Sequence, residues 1–323
     1  MIKKFIQELQ VDEEIIDFYV IKSISIKVGA NQKKYMDLIL GDKTGELTAK
    51  KWELTAKDTA LVESVKEGDI VKIAAVVKEW NEQKQFRVSQ IRSVVETDEV
   101  DKLDFIKAAP EKSADMFAYI VNWAKQIKDE EIKELVLYIL KENEEKLQYY
   151  PAASKNHHAM YGGLLYHTKR MLMSGIVLCD IYKNLNRDYV IAGVILHDMQ
   201  KINEIDSNDM GIASVYTFEG QMLGHIVQGI KNISKVAEQL NISYEKTIML
   251  EHMILTHHYE PEFGSPKKPL FPEAELLHYL DMVDARMYDM EEVLKKTPEG
   301  AFSDRVWTLD NRRMYKPKGE EML

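Results

Sequence analysis

The chain has one cysteine in 323 residues, Cys179, so it cannot close an internal disulfide. That thiol lies in the apolar run Ile176 to Ile181, where cysteine behaves as a small buried hydrophobe, and a reducing compartment suits it. No segment is apolar for long enough to cross a bilayer. The opening Met-Ile-Lys-Lys breaks into Gln7, Glu8 and Gln10 before a signal-peptide core develops, so the expectation is a soluble, cytoplasmic protein with no membrane partner. Internal repeats and low-complexity tracts are also missing. Positive charge is in deficit overall, and a net charge of −10 argues against a protein that merely coats nucleic acid. The deficit is uneven: residues 1–95 carry 16 Lys and Arg against 15 Asp and Glu, whereas the remainder carries 27 against 38. An acidic C-terminal portion suits a cation-binding enzyme, and equally the solubility of a large helical surface.

A chain of this length exceeds the usual single domain, and its periodicity changes partway along. Between Tyr19 and Val95 apolar residues alternate with polar ones: Ile24, Ile26 and Val28; Met36, Leu38 and Leu40; Val71, Ile73, Ala75 and Val77. Turn signals at Gly41-Asp-Lys-Thr-Gly45 and Glu67-Gly-Asp69 separate the runs, and residues 81–84 read as a hairpin loop. Short strands in about 95 residues predict a small barrel. Residues 96–112 turn acidic, lose the alternation and read as a linker. From residue 113 the spacing becomes helical, as in Phe117, Ile120, Val121, Ala124 and Ile127, and then Ile132, Leu135, Val136 and Ile139. Further helices are predicted over 163–184, 188–199, 219–240, 243–258 and 272–296, with Asp188 and Ser243 as N-caps and Pro272 in a first turn. The expected architecture is therefore an all-β barrel over 1–95, a linker over 96–112 and an all-α domain over 113–323.

Five of the nine histidines fall in an ordered series with carboxylates: His167, His197-Asp198, His225, His257-His258 and then Asp281. Imidazole and carboxylate together suit divalent transition metals, and helical bundles build such sites from several helices. His167, His197, Asp198 and Asp281 each interrupt an apolar helical stretch, where an unpartnered polar group is costly, so a shared ligand would compensate them. By spacing alone Asp284 competes with Asp281, since both lie on one helical face. His157 and His158 are open between substrate contact, support of a ligand and a loop pair. His252 and His278 read as structural, and Glu204 as a support for a ligand histidine.

The segment from Met36 to Trp52 resembles the strand-turn-strand core of OB-folds that bind single-stranded nucleic acid. The words Gly162-Gly-Leu-Leu-Tyr-His167, His197-Asp-Met-Gln-Lys201, Leu223-Gly-His225, Thr256-His-His258 and Tyr279-Leu-Asp281 resemble the HD superfamily of metal-dependent phosphohydrolases. With Gly264-Ser-Pro266 after the histidine pair, nearly the whole chain resembles YhaM-type exoribonucleases. The departure from the HD pattern is Met199-Gln200, where an apolar residue and glycine are usual. The resemblance implies that His167, His197, Asp198 and Asp281 bind one metal, and that His225 with His257 or His258 binds a second, bridged by Asp198. Manganese or cobalt is expected, with zinc, iron and magnesium as further candidates. Asp198 and Lys201 are the expected catalytic pair, Lys201 contacting the phosphate or leaving group unless it is simply a solvated lysine at a helix end.

The implied reaction is metal-dependent 3′-to-5′ hydrolysis of single-stranded RNA, with single-stranded DNA as a further candidate substrate. Tyr35, Trp52, Trp80, Phe86, Lys84 and Arg87 are the candidate strand contacts, although a small barrel also needs aromatics for its core. Competing readings are a phosphohydrolase of small nucleotides and a non-catalytic single-strand-binding protein. The basic, aromatic tail from Arg305 to Lys316 is open between RNA, a second subunit in a homo-oligomer and its own domain.

Overall fold

A computed structural model describes residues 3–29, 32–81, 83–153, 158–211 and 213–319. The chain forms two compact units that meet between Ala108 and Ala109. The expected linker is therefore divided between them. Its first part is tied to the barrel unit: Arg92 holds Asp98 through bonds of 2.6 and 2.8 Å, Lys43 pairs with Asp104 at 2.9 Å, and Phe105 and Ile106 are buried.

In the first unit, β1 (Glu14–Val28), β2 (Lys34–Asp42), β3 (Gly45–Lys51), α1 (Ala56–Ser64), β4 (Ile70–Trp80) and β5 (Gln83–Ser93) follow in order. The strands close a barrel in the order β1-β2-β3-β5-β4. Met36, Leu38 and Leu40 of β2 point inward, as do Val71, Ile73, Ala75 and Val77 of β4, so the alternation marks the core. The β2–β3 turn is built by the Asp42 carboxylate, which accepts from the Thr44 and Gly45 backbone amides at 2.7 and 3.2 Å and from Ile6 N at 2.7 Å. Closure rests on a short parallel seam between β3 and β5, with only the pairs Thr48↔Gln85, Ala49↔Phe86 and Lys50↔Arg87.

The second unit is helical. It comprises α2 (Ser113–Lys125), α3 (Glu130–Glu142), α4 (Glu144–Leu147), α5 (Gly163–Ile181), α6 (Arg187–Leu196), α7 (Lys201–Glu204), α8 (Phe218–Leu240), α9 (Tyr244–Thr256) and α10 (Pro272–Lys296). A small hairpin, β6 (Ile205–Ser207) with β7 (Ala213–Tyr216), is inserted between α7 and α8, so the unit is helical with one two-stranded addition. Helix α6 is capped by Asn186, whose side chain accepts from Asp188 N, rather than by Asp188 itself. It stops at Leu196, and His197 to Gln200 form a turn instead of extending it. Ser243 occupies the N-cap of α9 without a side-chain capping bond, and Pro272 opens α10.

Candidate metal centre

The helices bring His167 (α5), His197 and Asp198 (after α6), His225 (α8), His257 and His258 (after α9) and Asp281 (α10) together. Asp198 belongs to two close groupings, one with His167 and His197, the other with His225, His257 and His258. Five imidazoles share one orientation. The Nδ1 of His197, His257 and His258 bonds to the carbonyls of Val194 (2.8 Å), Ile254 (2.7 Å) and Phe263 (2.7 Å). In His167 and His225 the same atom meets the carboxylates of Asp284 (2.8 Å) and Glu204 (2.9 Å). Every ring thus spends Nδ1 on the scaffold and presents Nε2 to the centre, the arrangement that fixes a ligand histidine.

The Nε2 atoms meet at Asp198 and Asp281. His167 Nε2 is 3.3 Å from Asp281 Oδ1 and 3.8 Å from Asp198 Oδ2, and His197 Nε2 is 3.2 Å from Asp198 Oδ2. On the other side, His225 and His257 Nε2 lie 3.4 and 3.8 Å from Asp198 Oδ1. Asp198 Oδ1, His225 Nε2 and His257 Nε2 are buried with no hydrogen-bond partner among the described residues, a cost that chains avoid unless a further group satisfies them. Three orphaned donor-set atoms converging on one point fit a bound divalent cation, so the residues present suit the metal that the histidine series implies.

Local geometry is set by particular residues. Gly163 opens α5 so close to the preceding loop that a Cβ there would stand 2.0 Å from the His158 carbonyl. Gly224, at φ +68° and ψ 163°, breaks α8 immediately before His225. Glu204 repairs the break, accepting from His225 N at 3.1 Å as well as meeting Nδ1. Ser265, in the Gly-Ser-Pro segment, is fully buried and accepts from His258 N at 3.1 Å, which secures the turn carrying the histidine pair. Gln200, the departure from the HD pattern, is buried and accepts from Asn203 at 2.6 Å, so the turn after Asp198 forms without the usual glycine.

Electrostatics separate the two candidate aspartates. Asp284 Oδ2 meets both His158 Nε2 and His167 Nδ1 at 2.8 Å, while its Oδ1 accepts from Arg170 Nε at 2.6 Å. Asp284 is therefore committed to supporting His167 from behind, whereas Asp281 lies on the Nε2 side. Burial pushes the His158 imidazole down to about 4 despite Asp284, so it is neutral at pH 7 and donates. Burial also disfavours charge on His167, but Asp281 and Asp284 outweigh it and raise that group to about 9. The Asp198 carboxyl lies well below its ordinary range: burial opposes ionisation, while His197 and Lys201 override it.

Lys201 is buried, not solvated, and donates to Asp198 Oδ2 at 2.6 Å. His278 bonds the His257 carbonyl at 2.8 Å and His252 accepts from Leu270 N at 3.1 Å, so both serve the scaffold. His157 lies outside the described residues. The sequence reading left His158 open as a support, but it weighed Asp284 only as a ligand and did not single out Arg170. Gln228, one turn after His225 and buried with no partner for either amide atom among the described residues, was not singled out by it.

In the barrel, Phe86 is fully buried, its ring 5.0 Å from that of Tyr19, so the expected strand contact is corrected to a core residue. Lys84, half-buried, donates to the Leu9 carbonyl at 2.6 Å, which fastens the N-terminal segment. Tyr35 and Trp52 stack at 4.5 Å and 27°, with Lys50 Nζ 5.8 and 5.9 Å from their rings. Trp80 and Arg87 are exposed.

A helical scaffold that gathers histidines around a shared aspartate belongs to the metal-dependent phosphohydrolases, and the HD domain model matches residues 164–286. The model of an OB-fold nucleic acid binding domain matches residues 20–94. Over 314 residues the chain is 40% identical to the 3′-5′ exoribonuclease YhaM of Geobacillus sp. (strain WCH70), covering 97% of this chain and 95% of that protein. The chain accordingly belongs to the YhaM family of 3′-5′ exoribonucleases. Two solved structures align more weakly. The second OB-fold domain of replication protein A from Methanococcus maripaludis shares 21% identity over 30% of this chain and 98% of its own, with a TM-score of 0.24. Asparaginyl-tRNA synthetase from Pyrococcus horikoshii shares 12% over 47% and 36%, with a TM-score of 0.25. At those scores neither likeness bears on function.

Proposed function

We propose that this chain shortens single-stranded RNA from its 3′ end at a centre of two divalent ions. His167, His197, Asp198 and Asp281 would hold one ion, and His225, His257 and His258 the second, with Asp198 shared. The observation that carries this reading is the common presentation of five Nε2 atoms around one buried carboxylate. Bound there, divalent cations supply an activated water and Lewis-acid stabilisation of the phosphoryl group. Mixed imidazole and carboxylate donors suit manganese or cobalt. Asp198 offers one oxygen to each histidine grouping. Lys201 keeps positive charge beside that carboxylate, where charge developing on the phosphate or leaving oxygen is stabilised without reorganisation. Glu204 and Asp284 fix the tautomers of His225 and His167. A reducing cytoplasm suits the lone buried thiol of Cys179.

The stacked Tyr35–Trp52 pair with Lys50, together with the exposed Trp80 and Arg87, would hold the strand through base stacking and phosphate contacts. Incubating the protein and manganese with 5′-labelled single-stranded RNA should yield a ladder shortening progressively from the 3′ end. Cleavage of mononucleotides or cyclic nucleotides only would sink the reading.

Two further outcomes follow from these roles. In Glu204→Gln, the mutant amide still fills the space but no longer presents two acceptors to His225. Metal affinity should fall by roughly 10- to 100-fold, read by titration and by metal content after dialysis, with the fold intact by circular dichroism. Unaltered content and affinity would exclude Glu204 as the support of a ligand. Trp52→Ala removes a stacking face of about 1–3 kcal/mol, so KM for long RNA should rise about 5-fold or more while kcat on a minimal phosphodiester holds. An unmoved KM would take Trp52 off the strand path.

A further inference from the structure

The segment from Gly300 to Lys318 folds into a compact hairpin. Phe302 pairs with Tyr315 and Val306 with Arg312 as isolated bridges, supported by Ser303 N to the Met314 carbonyl at 2.8 Å and Lys316 N to the Ala301 carbonyl at 3.0 Å. Its tip is Asp310-Asn311, both at φ near +55°, with Arg312 N bonded to the Leu309 carbonyl at 3.1 Å. Two consecutive left-handed residues of these types are what a tight two-residue hairpin turn requires. Leu309 is fully buried, and Arg286 of α10 grips the Asp310 carboxylate through bonds of 2.8 and 3.1 Å. Arg286 follows Asp281 by five residues, so the grip lies roughly 7.5 Å further along the helix that carries the candidate ligand.

What this fixed hairpin displays is unusual for its surroundings. Trp307 is 76% exposed, Phe302 58% and Tyr315 47%, with the last two rings 5.0 Å apart. Residues 109–300 carry 20 Lys and Arg against 29 Asp and Glu, whereas residues 301–319 carry 5 against 2. The guanidinium of Arg313 lies 5.8 Å from the Phe302 ring, and Arg305 and Arg312 are exposed. Exposed rings interleaved with cations, held rigid within a domain of opposite charge, match the chemistry of an unpaired polyanionic strand: bases for the rings and phosphates for the guanidiniums.

We propose that this hairpin is a second single-stranded RNA contact, carried by the catalytic unit itself and separate from the barrel. The proposal rests on the RNA-degrading reading above. Trp307 stacks a base, and Arg312 and Arg313 neutralise neighbouring phosphates. The surface adds grip on the substrate without entering the chemistry.

The test is the affinity of the full-length holoprotein for a labelled oligoribonucleotide with hydrolysis-resistant phosphorothioate linkages, followed by fluorescence anisotropy. Because this strand is held but not cut, a failure of the hairpin is distinct from a failure of the exonuclease reading, which the RNA ladder reports. Trp307→Ala should weaken binding roughly 5-fold or more, and Trp307→Phe, which keeps a ring, should retain most of it. The pair Arg312→Gln and Arg313→Gln should flatten the logarithmic salt dependence by about 1.4. Hydrolysis of bis(p-nitrophenyl) phosphate should stay unchanged in all variants. Unchanged affinity in Trp307→Ala overturns the proposal, as does equal loss in the Ala and Phe variants. A changed mass by light scattering with unchanged RNA affinity also overturns it and assigns the hairpin to self-association.

Discussion

Replacing Asp198 by Asn is expected to be the most damaging single change in the centre. The amide preserves volume but removes the charge that faces both histidine groupings, at 3.2 Å from His197 on one oxygen and 3.4 Å from His225 on the other. It also leaves the buried Lys201 without its 2.6 Å partner, so two effects act in the same direction: loss of cation binding and an uncompensated ammonium. A loss of several kcal/mol of transition-state stabilisation corresponds to roughly 10³-fold or more in kcat/KM. Turnover on labelled RNA and metal content should be measured together, on protein whose melting curve shows it folded. Near-normal turnover in Asp198→Asn alongside a dead His225→Ala would show that the carboxylate is not shared.

Removal of metal by a chelator should abolish RNA shortening, and manganese should restore it. Stability should fall in step, because Asp198 Oδ1, His225 Nε2 and His257 Nε2 have no hydrogen-bond partner among the described residues. A ligand present at a hundred times its dissociation constant stabilises the folded state by about 2.7 kcal/mol. For a unit of this size that is a fall of about 5–10 °C in melting temperature on stripping. Full activity in protein shown by mass spectrometry to be free of metal would contradict the two-ion centre.

The series of candidate ligands was legible because polar residues stood out inside apolar helices. His197 and Asp198 follow Val194, Ile195 and Leu196, and Asp281 follows Leu280, so each announced a need for a partner. Which aspartate faced inward was not legible from spacing, and only the family resemblance favoured Asp281. Asp281 and Asp284 share a helical face, and the three-dimensional positions of His158 and Arg170 give the physical reason: Asp284 is already engaged. The break at Gly224 was hidden for a related reason: apolar spacing continues on both sides, and glycine inside a helix is tolerated often enough to go unnoticed. In the barrel, strand parity held the answer for Phe86. It alternates with Arg87 and shares its face with the buried Val88, so one of the two had to be core. Helix α1 carries almost no apolar periodicity and is marked instead by the reciprocal cap between Thr55 and Asp58. The corrected contact at Phe86 thus came from judging a residue by type before judging it by face.

The short seam between β3 and β5 has a consequence for motion. A closed barrel exchanges its backbone protons no faster than its weakest ladder allows, and here that ladder is three residue pairs long, against ten between β4 and β5. Unzipping Thr48 to Lys50 from Gln85 to Arg87 sacrifices few bonds and leaves the antiparallel strands paired, so the barrel can breathe at this point without unfolding. Arg87 is part of the seam and Trp52 follows it by two residues, so the proposed strand contacts sit on the hinge of that opening. An RNA strand bridging Trp52 and Arg87 would act as a clasp, and amide protons along the seam should become slower to exchange when RNA is bound.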